Sequence, residues 1–173
     1  MNLFILSYIQ REIAEYMMDK HISKILLEAV QMLCTAKRIL APDETVDQIL
    51  YKIAHKNHPV TIWCRTSQEN FVWTLDLIDE MHEEWRFRYG HPETKMHKAY
   101  LVAQILRRHI PPKDAFSQTG LTKFALAMPD EYKSDDPVQS YRAYYMSPEK
   151  RAISAWNKKR SKPDWYVWYT DYG

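Results

Sequence analysis

Between Ile25 and Cys34 every residue is apolar except Glu28 and Gln31. The run sits inside a helical pattern from Asp19 to Leu40, which Ala41-Pro42-Asp43 closes. A helix that is apolar on nearly all sides must be enclosed by other elements. At 173 residues the chain is long enough to supply them from one domain. Its three glycines leave little for tight hairpins or a Gly-rich phosphate loop. The expected fold is therefore all-α: a compact single-domain bundle of about five to seven helices over the whole chain, behind a short extended N-terminus.

The other elements follow from caps and periodicity. NLFIL is an extended apolar start, and a first helix is expected from about Ile9 to Met18, with a break near Asp19. Asp43 to Tyr51 reads as a helical turn or loop. Asn57-His58-Pro59 begins a helix, and the pattern stays helical to Tyr89, with Gly90 as its stop. Phe71, Leu75, Ile78, Met81 and Trp85 form its core-facing stripe. Glu93 to His109 is a further helix, Lys113 to Pro129 is irregular, and Asp136-Pro137 and Ser147-Pro148-Glu149 open two more helices. The aromatic end KPDWYVWYTDYG is expected to pack back onto the domain, with Trp165, Trp168 and Tyr169 as anchors.

Within the enclosed helix one feature is out of place. His21, Lys24, Glu28, Gln31 and Thr35 fall on an arc of about 80° at 100° per residue. Burying an ionised carboxylate without partners is costly, so Glu28 must meet a cavity, a partner or a strip of solvent. A desolvated glutamate beside a histidine and a lysine has the make-up of a general acid/base. The bland alternative is the solvent face of an amphipathic helix, and two polar residues in ten make a meagre one.

Net charge is only +2, yet Pro148 to Pro163 holds six Lys/Arg and one acid, with Trp156 among them. Cys34 and Cys64 lie in apolar helical patterns without metal-ligand spacing, as buried thiols in a reducing compartment do. No apolar run approaches the roughly 18 residues of a membrane span. MNLFILSYIQR lacks the features of a signal peptide. The expected location is the cytoplasm.

The stretch Asp19-Lys20-His21-x6-Glu28-x2-Gln31 resembles the D-x-H-x6-E segment of the phage-type pyrimidine-dimer DNA glycosylase/AP lyases, the endonuclease V class. Asn57-His58-Pro59, the aromatic-basic helix end from Arg86 to Tyr89, and Lys162-Pro163-Asp164-Trp165-Tyr166 are similar to that family in type and order. The likeness covers mainly residues 1–90 and the last dozen. A closer likeness in pattern is to phage-encoded proteins loosely given the same name, which share the shapes of DKH…LEAVQML, HKNHP, RYG, MPDEYK and SYRAYY.

The resemblance implies a compact helical enzyme of DNA repair in the cytoplasm of an infected bacterium. In that family the N-terminal α-amine attacks the sugar C1′, expels the base and forms a Schiff base that leads to strand cleavage. An α-amine suits this work because its ordinary pKa, about 7.7–8.0, leaves much of it neutral near pH 7. Carried over, Glu28 is the glutamate that moves protons and His21 the histidine that positions DNA. The amine is that of Met1 or, after Met1 removal, of Asn2. Asn2 is larger than the small residue the family usually exposes, and the sequence leaves the amine open between the two residues. The family also has Arg beside the glutamate and three residues after it, where this chain has Leu27 and Gln31.

The expected partner is double-stranded DNA, with a pyrimidine nucleotide flipped out to reach C1′. Lys24 joins the candidate DNA contacts, and Gln31 offers an amide for a base edge. Lys56, Asn57 and His58 offer a helix start for a phosphate, and Arg65 extends it. Tyr132-Lys133 and Arg142 among tyrosines mix stacking with cations, and Trp165 follows the family parallel. His55 and His58 have no carboxylate or Cys at motif distance, so neither metal nor organic cofactor is called for. Two other classes stay open: a base-modifying transferase on phage DNA, and a non-catalytic DNA- or protein-binding module.

Overall fold

The structure, a computed structural model, describes residues 1–167. Its regular elements are helical: α1 (Gln10–Tyr16), α2 (Asp19–Leu40), α3 (Glu44–Asp47), α4 (Pro59–Cys64), α5 (Gln68–Tyr89), α6 (Lys98–Arg108), α7 (Pro137–Tyr145) and α8 (Pro148–Arg151). Short 3-10 turns stand at Lys113–Ala115 and Asp130–Tyr132. Among the described residues none of these helices is long and apolar enough to cross a membrane.

The long helix α2 is the axis. It packs against α4, α5 and α6, and α1 lies on α5. Ile22, Ile25, Leu26, Ala29, Val30, Met32, Leu33 and Cys34 are all buried, as the apolar run requires. Lys37 and Arg38 stand in its last turn, where cations suit the carbonyl end of the helix dipole. Lys37 binds the Asp47 carboxylate at 2.7 Å, and Arg38 Nε donates to the Tyr51 carbonyl at 2.7 Å. Thr35 accepts from the Ala54 N–H and donates to its carbonyl. The upper end of the polar seam therefore fastens the loop of residues 41–54.

The expected helix from His58 to Tyr89 is two. It breaks between Cys64 and Gln68, where Ser67 caps α5 by accepting from the Asn70 N–H at 3.0 Å. The buried Asn70 side chain donates to the Trp63 carbonyl and Thr122 Oγ1, and accepts from the Thr122 N–H. These bonds tie the break to the irregular segment after α6. Gly90 ends α5 at φ 65, in the left-handed region that favours glycine. The stripe of Phe71, Leu75, Ile78, Met81 and Trp85 is buried as expected. The third long helix starts at Lys98 rather than near Glu93, because His97 Nδ1 caps it by accepting from the Ala99 N–H at 3.1 Å. This split and two four-residue helices bring the total to eight among the described residues.

At the N-terminus, residues 2–6 have no helical geometry and are buried. Leu3, Phe4, Ile5 and Leu6 enter the core, each burial worth roughly 1.5–3 kcal/mol. Asn2 donates to the Ala127 carbonyl at 2.8 Å, and its Oδ1 lies 2.9 Å from the Tyr141 hydroxyl. Arg142 donates to the Leu6 carbonyl at 2.9 Å. The segment is thus fixed along its length, and Met1 is delivered to one place.

A second fastening joins α1, α2, α5 and the C-terminal segment. Glu84, fully buried, accepts from Arg88 Nε at 2.7 Å and from Arg160 Nε at 2.8 Å. Arg88 also reaches Asp19 at 3.1 Å and the Ala14 carbonyl at 3.1 Å. Tyr166 is buried against Trp156, so the C-terminal segment packs back as expected. Trp168 and Tyr169 lie outside the described residues.

Candidate active site

The fastened N-terminus brings the Met1 amine to 3.0 Å from Glu28 Oε1, with side chains only 7% and 14% exposed. Glu28 Oε2 is buried and has no hydrogen-bond partner. A carboxylate oxygen can accept two bonds, so this one is left open for a proton or a donor from outside the fold. Both residues line a cavity of about 430 Å³. Phe4, Ile25 and the chain at Leu126, Ala127 and Met128 give it apolar walls.

Lys24, Lys133 and Lys150 also line this cavity, and Glu28 is its one acid among the described lining residues. Lys133 is paired with Asp130 at 2.9 Å. Lys24 and Lys150 have no carboxylate partner among the described residues. Lys150 is half-buried, its ammonium 5.2 Å from the Phe4 ring centre and 5.0 Å from that of Tyr144. Burial lowers its pKa; Glu149 opposes that, the nearby Lys24 adds to it, and Glu28 opposes it.

Two histidines complete the lining. His21, 1% exposed, sits face-near to Phe4 with ring centres 4.5 Å apart. Burial, with Lys150 and Lys24 nearby, pushes its pKa down to about 3, so it is neutral at pH 7. The Tyr145 hydroxyl accepts from the Met18 N–H and lies 2.8 Å from His21 Nδ1. His58 caps α4 through Nδ1, accepting from the Val60 N–H at 3.2 Å, which leaves the proton of its neutral ring on Nε2. Burial, the N-terminal amine and His55 lower its pKa against a smaller pull from Glu28. Both shifts favour the neutral ring, and in His58 Nε2 carries the N–H.

Of the sequence candidates, the fold gathers Met1, Asn2, His21, Lys24, Glu28, His58 and Lys133 at one cavity. Gln31, one turn beyond Glu28, is half-buried and off it. Lys56 and Asn57 are exposed in the loop before α4. Arg65 lines a separate hollow with Leu40 and Ile62, its Nη1 buried and unpartnered. Tyr132 stands behind the wall, 5.7 Å from the Tyr144 ring. Arg142 lies between the Tyr16 and Trp165 rings, so both Arg142 and Trp165 serve packing where they stand. Among the tail cations, Arg160 is committed to Glu84, while Lys158 and Lys159 rest on Tyr89 and Phe87.

Lys150 and Phe4 are site residues that sequence reasoning did not pick out, and Tyr144 entered it only among the tyrosines around Arg142. Cys34 and Cys64 are free and buried, and burial pushes both thiols up to about 12, which leaves them protonated and inert at neutral pH. Among the described residues no three His, Cys, Asp or Glu side chains stand together as a metal site. No protein-family model, curated protein or solved structure matches the chain.

Proposed function

We propose that this protein is a DNA N-glycosylase with AP-lyase activity, in which the Met1 amine is the nucleophile and Glu28 its proton partner. The observation that carries the reading is the 3.0 Å contact between the amine and Glu28 Oε1 inside a cavity walled by chain from both ends of the sequence. A surface terminus would be solvated and wandering. This one is held where a carboxylate can relieve it of a proton, the requirement for an amine nucleophile.

In the reaction the ammonium first loses a proton to Glu28. The free amine then forms a bond to C1′ of a nucleotide turned out of its duplex, and the C1′–N bond to the base breaks with its electron pair leaving on the base. The base takes up a proton as it leaves, the attached nitrogen gives up one of its protons, and the C1′–O4′ bond then breaks with its electron pair on O4′, which is protonated, leaving an iminium between C1′ and the Met1 nitrogen. Removal of a C2′ proton expels the 3′ phosphate oxygen by β-elimination, and water finally releases the sugar fragment from Met1. Glu28 Oε2, buried and unpartnered, is available for these proton movements. His58 supplies a neutral N–H donor through Nε2, fitted to a sugar or base oxygen, and the buried His21 ring packs against Phe4 in the cavity wall.

Incubation with oligonucleotides bearing an abasic site or a pyrimidine dimer, in the presence of borohydride, tests this directly. The iminium is then reduced to a stable protein–DNA adduct whose site peptide mapping places at Met1. Acetylating the amine should abolish the adduct. An adduct that survives acetylation, or none from either substrate, removes the proposal.

A further inference from the structure

We propose that Lys24 and Lys150 form a two-armed clamp for the phosphate of a single nucleotide unit seated in the Glu28 cavity. The inference rests on the reading of that cavity as the place where a nucleotide is handled, and it names the part of the substrate that is gripped.

Three observations carry it. First, the two ammonium groups face one cavity without a carboxylate partner among the described residues, while Lys133 beside them is paired with Asp130. The single acid of the lining, Glu28, already has its Oε1 on the Met1 amine. Cations in one hollow repel one another, and an entering anion relieves the repulsion. Second, Lys150 is held in place. Its ammonium rests on the faces of Phe4 and Tyr144, and Phe4 adopts φ 51, a left-handed conformation seldom taken by a residue with a side chain. The Leu6 N–H closes this turn on the Phe4 carbonyl at 2.8 Å. Backbone strain of this kind persists where the surroundings impose it and clusters at ligand sites. Third, the cavity of about 430 Å³ is too roomy for an inorganic anion alone and falls in the range of organic ligand pockets, roughly 300–1,000 Å³. Its apolar wall of Ile25, Leu126 and Met128 asks for a flat or apolar body joined to the anion. A sugar phosphate with its base has that composition.

The phosphate has two possible sources, a polynucleotide strand or a free nucleotide, and one set of titrations separates them. The probes are a duplex with a tetrahydrofuran abasic analogue, which cannot form a Schiff base, and deoxythymidine monophosphate. Each is titrated by fluorescence anisotropy or calorimetry against the wild-type protein, Lys150→Gln, Lys150→Arg and Lys24→Gln. Lys24 is exposed, so its variant keeps the fold even where Lys150→Gln disturbs it, and thermal melting checks both. The expected result is duplex binding weakened about tenfold by either Gln variant and largely retained by Lys150→Arg. The slope of log affinity against log salt should fall by roughly 0.9 for each lost phosphate contact. If only the monophosphate responds to the variants, the clamp stands and its source is the free nucleotide. Affinities for both probes that are the same in all four proteins overturn it. Because neither probe reacts, a working clamp without a borohydride adduct would remove the excision chemistry and leave the clamp, and the opposite pair of results would do the reverse.

Discussion

Glu28 Oε1 lies 3.0 Å from the amine of Met1, although Glu28 sits inside the twenty-two-residue helix α2, which begins only at Asp19. The contact exists because the segment before α1 is buried residue by residue and α2 runs past its tip. The fold therefore pays attention to where its first residue ends, and the carboxylate is half of that arrangement. Glu28→Gln keeps the shape and a hydrogen-bond acceptor but cannot take a proton from the amine. Borohydride trapping by this variant should be slower by roughly 10²–10⁴-fold, the usual size of a general acid/base contribution. Unaltered trapping kinetics would show that Glu28 only holds the terminus.

Holding the terminus falls mainly to Asn2. Its side chain joins the Ala127 carbonyl, the Leu3 N–H and the Tyr141 hydroxyl, all in a buried setting. Asn2→Ala takes this partner from the Ala127 carbonyl and the Leu3 N–H, while Tyr141 keeps the Ala125 carbonyl and the Ala127 N–H; the cost is about 1–3 kcal/mol for an unsatisfied buried group. Urea unfolding measures that loss. The same variant should also trap less DNA, since Met1 is no longer aimed at Glu28. A stability loss with full trapping would separate the anchor from the chemistry.

Parts of this site were legible in the chain and parts were not, for physical reasons. Glu28 stood out because one acid in an apolar helix has to be accounted for, and His21 and Lys24 share its face by simple periodicity. Gln31 and Thr35 share the face too, yet the cavity does not extend along the helix. Thr35 instead meets Ala54. The nearness of Met1 to Glu28 was expected from family resemblance, since no local pattern encodes a contact across a chain folded back on itself. Lys150 was invisible as a site residue: in sequence it is one of six cations in a basic run, and only tertiary packing lays it over Phe4 and Tyr144. The break before α5 was missed because the apolar stripe continues across it. Its signal was Ser67 with Asn70 three residues on, a cap in the middle of a helical pattern.

The buried histidines set the acid limit of the fold. His21 is held down to about 3 and His82 to about 4, both chiefly by burial, against an ordinary 6.5. A lowered folded pKa means that below about pH 6.5 the unfolded chain takes up protons that the folded one refuses. Their contribution is thus intact above 6.5 and lost as the pH falls towards 4 and then 3. Glu84 adds to the loss only lower down. Burial opposes ionisation of Glu84, but hydrogen bonds from Arg160 and Arg88 outweigh it and hold it under its ordinary 4.5. Melting temperature should therefore begin to drop near pH 6, above the range in which Glu84 takes up a proton. His82→Gln, which cannot protonate, should flatten part of the fall between 6.5 and 4. An equal slope in that variant would assign the acid sensitivity elsewhere.

The Glu84 hub tests how far the C-terminal segment supports the rest. Glu84 Oε2 accepts from both Arg88 and Arg160, and Arg88 in turn binds Asp19 at the start of α2 and the Ala14 and Glu15 carbonyls of α1. Every member of this network is buried or half-buried, so the charges are poorly solvated and depend on one another. Removing one partner of such a set leaves an uncompensated charge and typically costs about 3–5 kcal/mol. Glu84→Gln should lower unfolding stability by an amount of that order. Arg160→Ala should cost less, because Arg160 is the more exposed partner and Arg88 remains to neutralise Glu84. The two together should cost less than their sum, since they act on one carboxylate. Strict additivity in a double-mutant cycle would mean that Arg160 supports the fold through its packing on Phe87, 4.5 Å away, rather than through Glu84.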